Sequence, residues 1–180
     1  MQVRHMAFRD IHHVKECNRR NLPENYHLIL LMYMLVMYPE SCFVAENNRG
    51  EIIGYAMSKL KDNMESDEKT ETDANSGYVL SLAVDKAYRK VGLGRILLAA
   101  SLHGVCRMMG SENAPFKVYL NVRPSNHSAI SMYRSVFGFF EESEVPNYYS
   151  NGESSLLMCR VFNSHESKRA PEGEPANKVH

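Results

Sequence analysis

Tyr78-Val79-Leu80-Ser81-Leu82-Ala83-Val84, followed after a short break by Arg89-Lys90-Val91-Gly92-Leu93-Gly94-Arg95, decides the fold. The first stretch is a nearly continuous apolar run, the pattern of a strand covered on both faces and therefore central in its sheet. From Leu93 the apolar positions fall at Leu93, Leu97, Leu98, Leu102, Val105 and Met109, a helical stripe of about five turns. Strand, glycine loop and helix thus follow in order. A helix N-terminus leaves its first backbone N–H groups without partners and carries the positive end of the macrodipole, while glycine allows close approach and positive φ, so Arg89 to Arg95 can cradle an anion. Two glycines also serve purely steric turns, and the spacing leaves both readings open. No Gly-Lys-Ser/Thr follows, which removes the main support for a Walker A loop. A dinucleotide fold is disfavoured because the loop follows the fourth predicted strand and not the first.

Upstream, Gln2 to Phe8 reads as a first strand, and Asp10 as the N-cap of a helix carrying Ile11, Val14 and Cys17. Asn21-Leu22-Pro23-Glu24-Asn25-Tyr26 then opens a second helix, with Pro23 tolerated in its first turn, and the chain runs apolar from Leu28 to Tyr38 before Pro39. Those eleven residues fall short of the ~20 needed to span a bilayer. A helix apolar on every face is buried on every face, in its own core or beneath a partner subunit. Ser41 to Glu46 and Glu51 to Leu60, joined by Asn47-Asn48-Arg49-Gly50, make an antiparallel hairpin. Lys61 to Gly77 holds six acids against two lysines and is expected to be a long solvated loop.

Downstream, Val118 to Val122 reads as a strand and Asn126 to Val136 as a helix with Ile130, Tyr133 and Phe137 on one face. A strand begins at Phe139, and Ser155 to Phe162 is the last. One domain over 1–162 is expected, with a disordered polar tail over 163–180. Hydrophobic residues make up 44% of the 180 and charged residues 23%, with 21 basic against 21 acidic side chains. That balance excludes a generally disordered chain and gives no basic surface for nucleic acid. Cys17, Cys42, Cys106 and Cys159 show no metal-ligand spacing and read as reduced thiols, so a cytoplasmic setting and no metal are expected.

Arg89-x-x-Gly92-x-Gly94 after Leu82-Ala83-Val84 resembles the pyrophosphate motif of the GNAT superfamily of N-acetyltransferases. Further blocks extend the likeness: Leu22-Pro23-Glu24-Asn25-Tyr26, Val122-Arg123-x-Ser125-Asn126 with Ala129 and Tyr133, and Tyr148-Tyr149-x-x-Gly152-Glu153. Together they resemble the catalytic subunits of NatA-type N-terminal acetyltransferases, in the family's order from about Val3 to Phe162. The resemblance implies an α/β (α+β) fold: a mixed sheet of about seven strands, about four flanking helices, and a V-shaped splay between the fourth and fifth strands. It implies acetyl-coenzyme A as cosubstrate, with the backbone of Leu82, Ala83 and Val84 taking the pantetheine arm. The pyrophosphate falls to Arg89, Lys90, Val91, Gly92, Leu93, Gly94 and Arg95, and Asn126 and Tyr133 face the arm and its sulfur.

The implied reaction is direct attack of a free α-amine of a protein or peptide on the acetyl thioester in a ternary complex. An α-amine has an ordinary pKa of about 8 against about 10.4 for lysine, so a chain N-terminus is the easier nucleophile near neutrality. Glu24 is the first candidate for the base, acting through water, although a carboxylate in a helix's first turn also serves the macrodipole alone. Related enzymes often carry histidine where Asn121 stands, and asparagine cannot titrate. Tyr78 is a candidate to share base or water-ordering duty, and Tyr133 to assist the departing thiol. Leu22, Pro23, Glu24 and Tyr26 on one side, and Tyr148 and Tyr149 on the other, bind the peptide. Arg123 either favours acidic or carbonyl-rich substrate ends or is a solvated strand-end charge.

The resemblance also implies a helical-repeat auxiliary subunit docked on the first two helices, ribosome association and a nuclear as well as cytoplasmic location. No direct nucleic-acid or membrane contact is expected. Two other readings remain at this level. The cofactor motif says nothing about the acceptor, which leaves a small-molecule amine or protein lysine open. Asn121 and Tyr78 leave a non-catalytic, partner-binding subunit of the same fold open.

Overall fold

The computed structural model describes residues 1–61, 76–109 and 115–163. Its strands are β1 (Gln2–His5), β2 (Cys42–Glu46), β3 (Ile52–Leu60), β4 (Ser76–Val84), β5 (Phe116–Val122), β6 (Phe140–Val145) and β7 (Ser155–Phe162). They form one mixed sheet in the order β1-β2-β3-β4-β5-β7-β6. Only the β4–β5 pair is parallel. The helices are α1 (Ile11–Asn21), α2 (Leu28–Met37), α3 (Leu93–Met109) and α4 (His127–Phe137).

The apolar stripe of α3 does what its spacing predicts: Leu93, Leu97, Leu98, Leu102 and Val105 are all buried. Each such side chain contributes roughly 1.5–3 kcal/mol relative to exposure. Leu93 and Leu97 pack on Ala45, Ile53 and Ala56. Side chains alternate across a strand, and Val44, Tyr55 and Met57 turn to the other face, where they meet Ile11, Val14 and Cys17 of α1 and Leu31, Met34 and Leu35 of α2. Two polar details lock α3 in place. Ser101 donates to the Ser41 carbonyl at 2.7 Å, and Gly104 lets the 39–41 turn approach so closely that a Cβ there would lie 2.0 Å from the Glu40 carbonyl oxygen.

One extra residue shapes the middle of the sheet. In the β3–β4 register Met57 faces Ser81 and Ser58 faces Val79, which leaves Leu80 as a bulge on β4. A bulge bends and overtwists its strand. Pairing of β4 with β5 runs from Ser76 to Val79 and stops there, although β4 continues to Val84 and β5 to Val122. Beyond that point β4 stays with β3 and β5 with β7, so the two parallel strands diverge toward their C-terminal ends.

Several local expectations are corrected. The first strand ends at His5, and Phe8–Asp10 forms a 3-10 turn. Asp10 occupies the N-cap position of α1, but its carboxylate looks backward, accepting from the Ala7 N–H at 2.8 Å and from Arg4. Residues 22–27 are not helical. Glu24 therefore cannot be read as a first-turn carboxylate. Helix α2 is not covered all round: Ile29, Met32, Val36 and Met37 are exposed. β4 begins at Ser76, two residues before the predicted start. The rest of the acidic segment, 62–75, and the tail over 164–180 lie outside the described residues. Among the described residues no helix is long and apolar enough to cross a membrane.

Candidate active site

The open limb of β4 carries Leu82, Ala83 and Val84 and leads straight into the glycine loop. Lys90 and Gly92 both take positive φ, 65° and 87°. Glycine accepts that conformation freely, which is why the sequence needs one at the mouth of α3. Arg95 and Ile96 donate to the Gly92 carbonyl at 3.0 and 3.2 Å, while the backbone N–H groups of Lys90 through Gly94 find no acceptor among the described residues. The space a Cβ of Gly92 would enter is empty to 4 Å. Arg89 ties the loop down, donating from Nε to the Val84 carbonyl at 2.9 Å and from Nη2 to Asn21 Oδ1 at 3.2 Å. Lys90 and Arg95 are exposed and add positive charge beside the free amides.

Helix α4 borders the same opening. Asn126 caps it, its side chain accepting from the Ala129 N–H at 3.3 Å. Tyr133 is buried in the cluster with Leu98, Leu120 and Phe139, its hydroxyl has no partner among the described residues, and burial pushes the phenol up to about 12. Five unsatisfied amides at a helix's positive end, an unpaired strand edge leading to them and an unpartnered phenol fit an extended, diphosphate-bearing acyl carrier.

The facing wall is built from the 22–27 segment. Tyr26 donates its hydroxyl to the Leu80 carbonyl at 3.1 Å, so the bulge is read by this segment directly. Its backbone N–H is held by buried Asn18 Oδ1 at 3.1 Å, and Asn18 Nδ2 donates to Tyr55 Oη at 2.9 Å. Burial, with Tyr148 nearby, pushes the Tyr26 phenol up to about 12. The β6–β7 connection supplies Tyr148 and Tyr149, whose rings meet edge to face at 5.0 Å. Tyr78 joins the two strands' ends: its hydroxyl accepts from Asn121 Nδ2 at 2.6 Å and bonds Tyr148 Oη at 3.1 Å, while Ser155 Oγ donates to Asn121 Oδ1. Burial holds the Tyr78 phenol well above its ordinary range.

Arg123, expected at the acceptor mouth or as a solvated strand-end charge, is mostly buried and paired with two carboxylates. One Nη pairs with Glu24 and the other with Glu153, and the guanidinium carbon stands 3.7 Å from the Tyr149 ring centroid. Only one Glu24 oxygen is engaged there, which leaves Oε2 for a water. Leu22 and Pro23 precede Glu24 in the same segment. Sequence reasoning assigned no role to Asn18, Asn21, Glu153 or Ser155. Glu153 alone had a signal, as the last residue of the Tyr148 to Glu153 block. The asparagines have none, because the long-range partners that give them their place, Tyr55, Asp85 and Arg89, lie 37 to 68 residues away. Among the described residues no group of three His, Cys, Asp or Glu side chains could hold a metal ion.

A sheet opened beside a glycine-fed helix N-terminus, with a tyrosine-walled cleft across from it, defines an acyl-group transferase that lays its carrier along a strand edge. Residues 8–139 match the acetyltransferase (GNAT) family, and the chain belongs to it. An N-alpha-acetyltransferase of Sulfurisphaera tokodaii is 34% identical over 88% of this chain and 91% of its own length. The N-terminal acetyltransferase A complex catalytic subunit ard1 of Schizosaccharomyces pombe is 29% identical over 91% and 87%. The solved structure of Ard1 from Thermoplasma volcanium superposes with a TM-score of 0.72 at 28% identity, over 89% of this chain and 96% of that one.

Proposed function

We propose that the chain is a protein N-terminal acetyltransferase, moving an acetyl group from acetyl-coenzyme A to the free α-amine of protein or peptide N-termini. The observation that carries this reading is the unpaired edge of β4 beyond Val79 running into the free amides of Lys90 through Gly94. The acceptor assignment is supported by the relatives named N-alpha-acetyltransferase and by the 22–26 and 148–153 blocks.

Acetyl-coenzyme A supplies the activated acyl group. Leu82, Ala83 and Val84 offer the backbone of an open strand edge to its arm, and the loop from Arg89 to Arg95 offers amides and charge to its diphosphate. Arg89 acts by position, since Val84 and Asn21 already hold its guanidinium. Tyr133 keeps its proton at neutral pH and is a donor at Oη. Glu24 offers Oε2 to a water that takes the proton of the α-ammonium, and the Asn121–Tyr78–Tyr148 chain orders polar groups around it. Leu22, Pro23 and Tyr26 face Tyr148 and Tyr149 across the peptide's path. Burial of the tyrosines excludes water and makes each remaining hydrogen bond stronger.

The exposed stripe Ile29, Met32, Val36 and Met37 supports the docking of a helical-repeat auxiliary subunit on the first two helices. The reading puts the reaction in the cytoplasm, at the ribosome where such a subunit carries it, a setting in keeping with four buried cysteines that form no disulfide.

The test is thiol release from acetyl-coenzyme A with peptides starting Ser, Ala, Glu and Met, beside the same peptides with blocked N-termini and an internal lysine. Turnover on free α-amines alone is expected. Turnover of the blocked peptides would move the acceptor to lysine. Gly92→Val, which forces a β-branched side chain into φ 87°, is expected to abolish turnover and the rise in melting temperature given by coenzyme A.

A further inference from the structure

The last residue of α1 reaches the cofactor loop from outside it. Asn21 engages both ends of its amide: Oδ1 accepts from Arg89 Nη2 at 3.2 Å, while Nδ2 donates to the Asp85 carboxylate and to the Cys17 carbonyl at 2.9 Å. The bond to Cys17, one turn back, satisfies a helix-end carbonyl and asks only for a local donor. The other two join segments 64 and 68 residues apart. They meet the residues that flank the 3-10 turn Lys86–Tyr88, through which β4 passes into the glycine loop. Asp85 enters that turn with its N–H on the Ile53 carbonyl at 2.8 Å and its carboxylate also held by Arg20 Nη2 at 2.9 Å. Arg89 leaves it with Nε on the Val84 carbonyl at 2.9 Å. Once Nε is fixed on the strand, the plane of the guanidinium is set by what receives Nη2, and among the described residues that is Asn21.

From this geometry we infer that Asn21 is a positioning residue for the cosubstrate, acting through Arg89 to hold the turn after β4, and with it the amides of Lys90 through Gly94, in the pose that a diphosphate meets. The inference rests on the reading of that loop as the coenzyme A cradle. Arg89 is exposed, and without a fixed partner its side chain and the turn it closes would have to be ordered as the ligand arrives, which lowers affinity. An amide supplies an acceptor for the arginine and donors for the aspartate at once, which neither a carboxylate nor a hydrocarbon of the same shape does. Helix α1 thereby belongs to the cofactor site, although none of its residues lies in the glycine motif.

Calorimetric titration of coenzyme A into the unmodified chain, Asn21→Ala, Arg89→Ala and the double variant tests this without turnover. Asn21→Ala is expected to raise Kd roughly five-fold. The double variant is expected to do no more than Arg89→Ala alone, because an acceptor that acts through the arginine then has nothing left to hold. In steady-state kinetics Asn21→Ala is expected to raise the KM for acetyl-coenzyme A by the same factor, while kcat and the KM for peptide stay within about two-fold. An unchanged Kd in a cooperatively melting Asn21→Ala overturns the inference, and so do effects of the two substitutions that multiply in the double variant. A fall in kcat at unchanged KM for acetyl-coenzyme A overturns it as well, by moving Asn21 to the chemistry. Should Asn21→Ala not melt cooperatively, Asn21→Leu, which keeps the bulk of the amide, takes its place in the same cycle. Failure of coenzyme A to bind the unmodified chain would overturn the cofactor reading itself, a result distinct from binding that Asn21 does not influence.

Discussion

Tyr133 ends in a hydroxyl that none of the described residues uses. Its ring fills part of the core beside Phe139, 6.1 Å between centroids, while the oxygen takes no partner among those residues. A group that adds no internal hydrogen bond can be removed at small cost, so Tyr133→Phe is expected to change unfolding free energy by less than about 0.5 kcal/mol. Its effect on kcat is expected to be near 100-fold if Oη donates in the reaction, and denaturant melts beside steady-state kinetics separate the two. Burial raises this phenol to about 12. A donor must be protonated, so titration of Tyr133 itself is expected to lower kcat only as pH rises toward that value. At the same scale Arg123 shows where sequence runs short: one partner is 99 residues away and the other 30, and no spacing rule connects them.

Helix α3 was readable because a single stripe at helical spacing meets one face of the sheet. The 22–27 segment was not, since Pro23 suits a first helical turn equally well, and tertiary contacts, the grip of Asn18 and Leu80 on Tyr26 and of Arg123 on Glu24, keep it out of the helix. The Leu80 bulge was equally invisible, because a continuous apolar run has no alternation to interrupt. Gly104 was passed over for a similar reason, lying within a good helix. In isolation Gly104→Ala would gain about 1 kcal/mol of helix propensity. A methyl 2.0 Å from the Glu40 carbonyl oxygen forces the backbone of the 39–41 turn to move, and overpacking of this kind costs roughly 1–3 kcal/mol or more. A net loss is expected, visible as a lower urea midpoint. Helix α2 separates its two faces in the same assay. Leu31→Ala, at a fully buried position, is expected to cost about 2–5 kcal/mol. Val36→Lys, at a position 62% exposed, is expected to stay within about 0.5 kcal/mol while abolishing binding to a purified auxiliary subunit.

The molecule as a whole is two half-sheets hinged on four paired residues, Ser76 to Val79 against Lys117 to Leu120. The composition and strand pattern disclosed the seven strands and the glycine cradle, but the splay depends on pairing that stops midway along two strands, and pairing is a property of the assembled sheet. Coenzyme A bridging the opening is expected to slow hydrogen exchange at alternate amides of Leu80 to Val84 and at Lys90 to Gly94, leaving the Ser76 to Val79 pairing unchanged, and exchange mass spectrometry with and without the ligand reads this directly. The bulge itself carries a genetic consequence. With Leu80 set aside, Ser81 and Ala83 lie toward α1 and α2 and Tyr78 toward the β6–β7 connection, while Val79, Leu82 and Val84 lie toward α3, which is uninterrupted strand alternation. An in-frame loss of that one codon would let the seam close from Val79 onward, yielding a tighter sheet with no room for its cosubstrate.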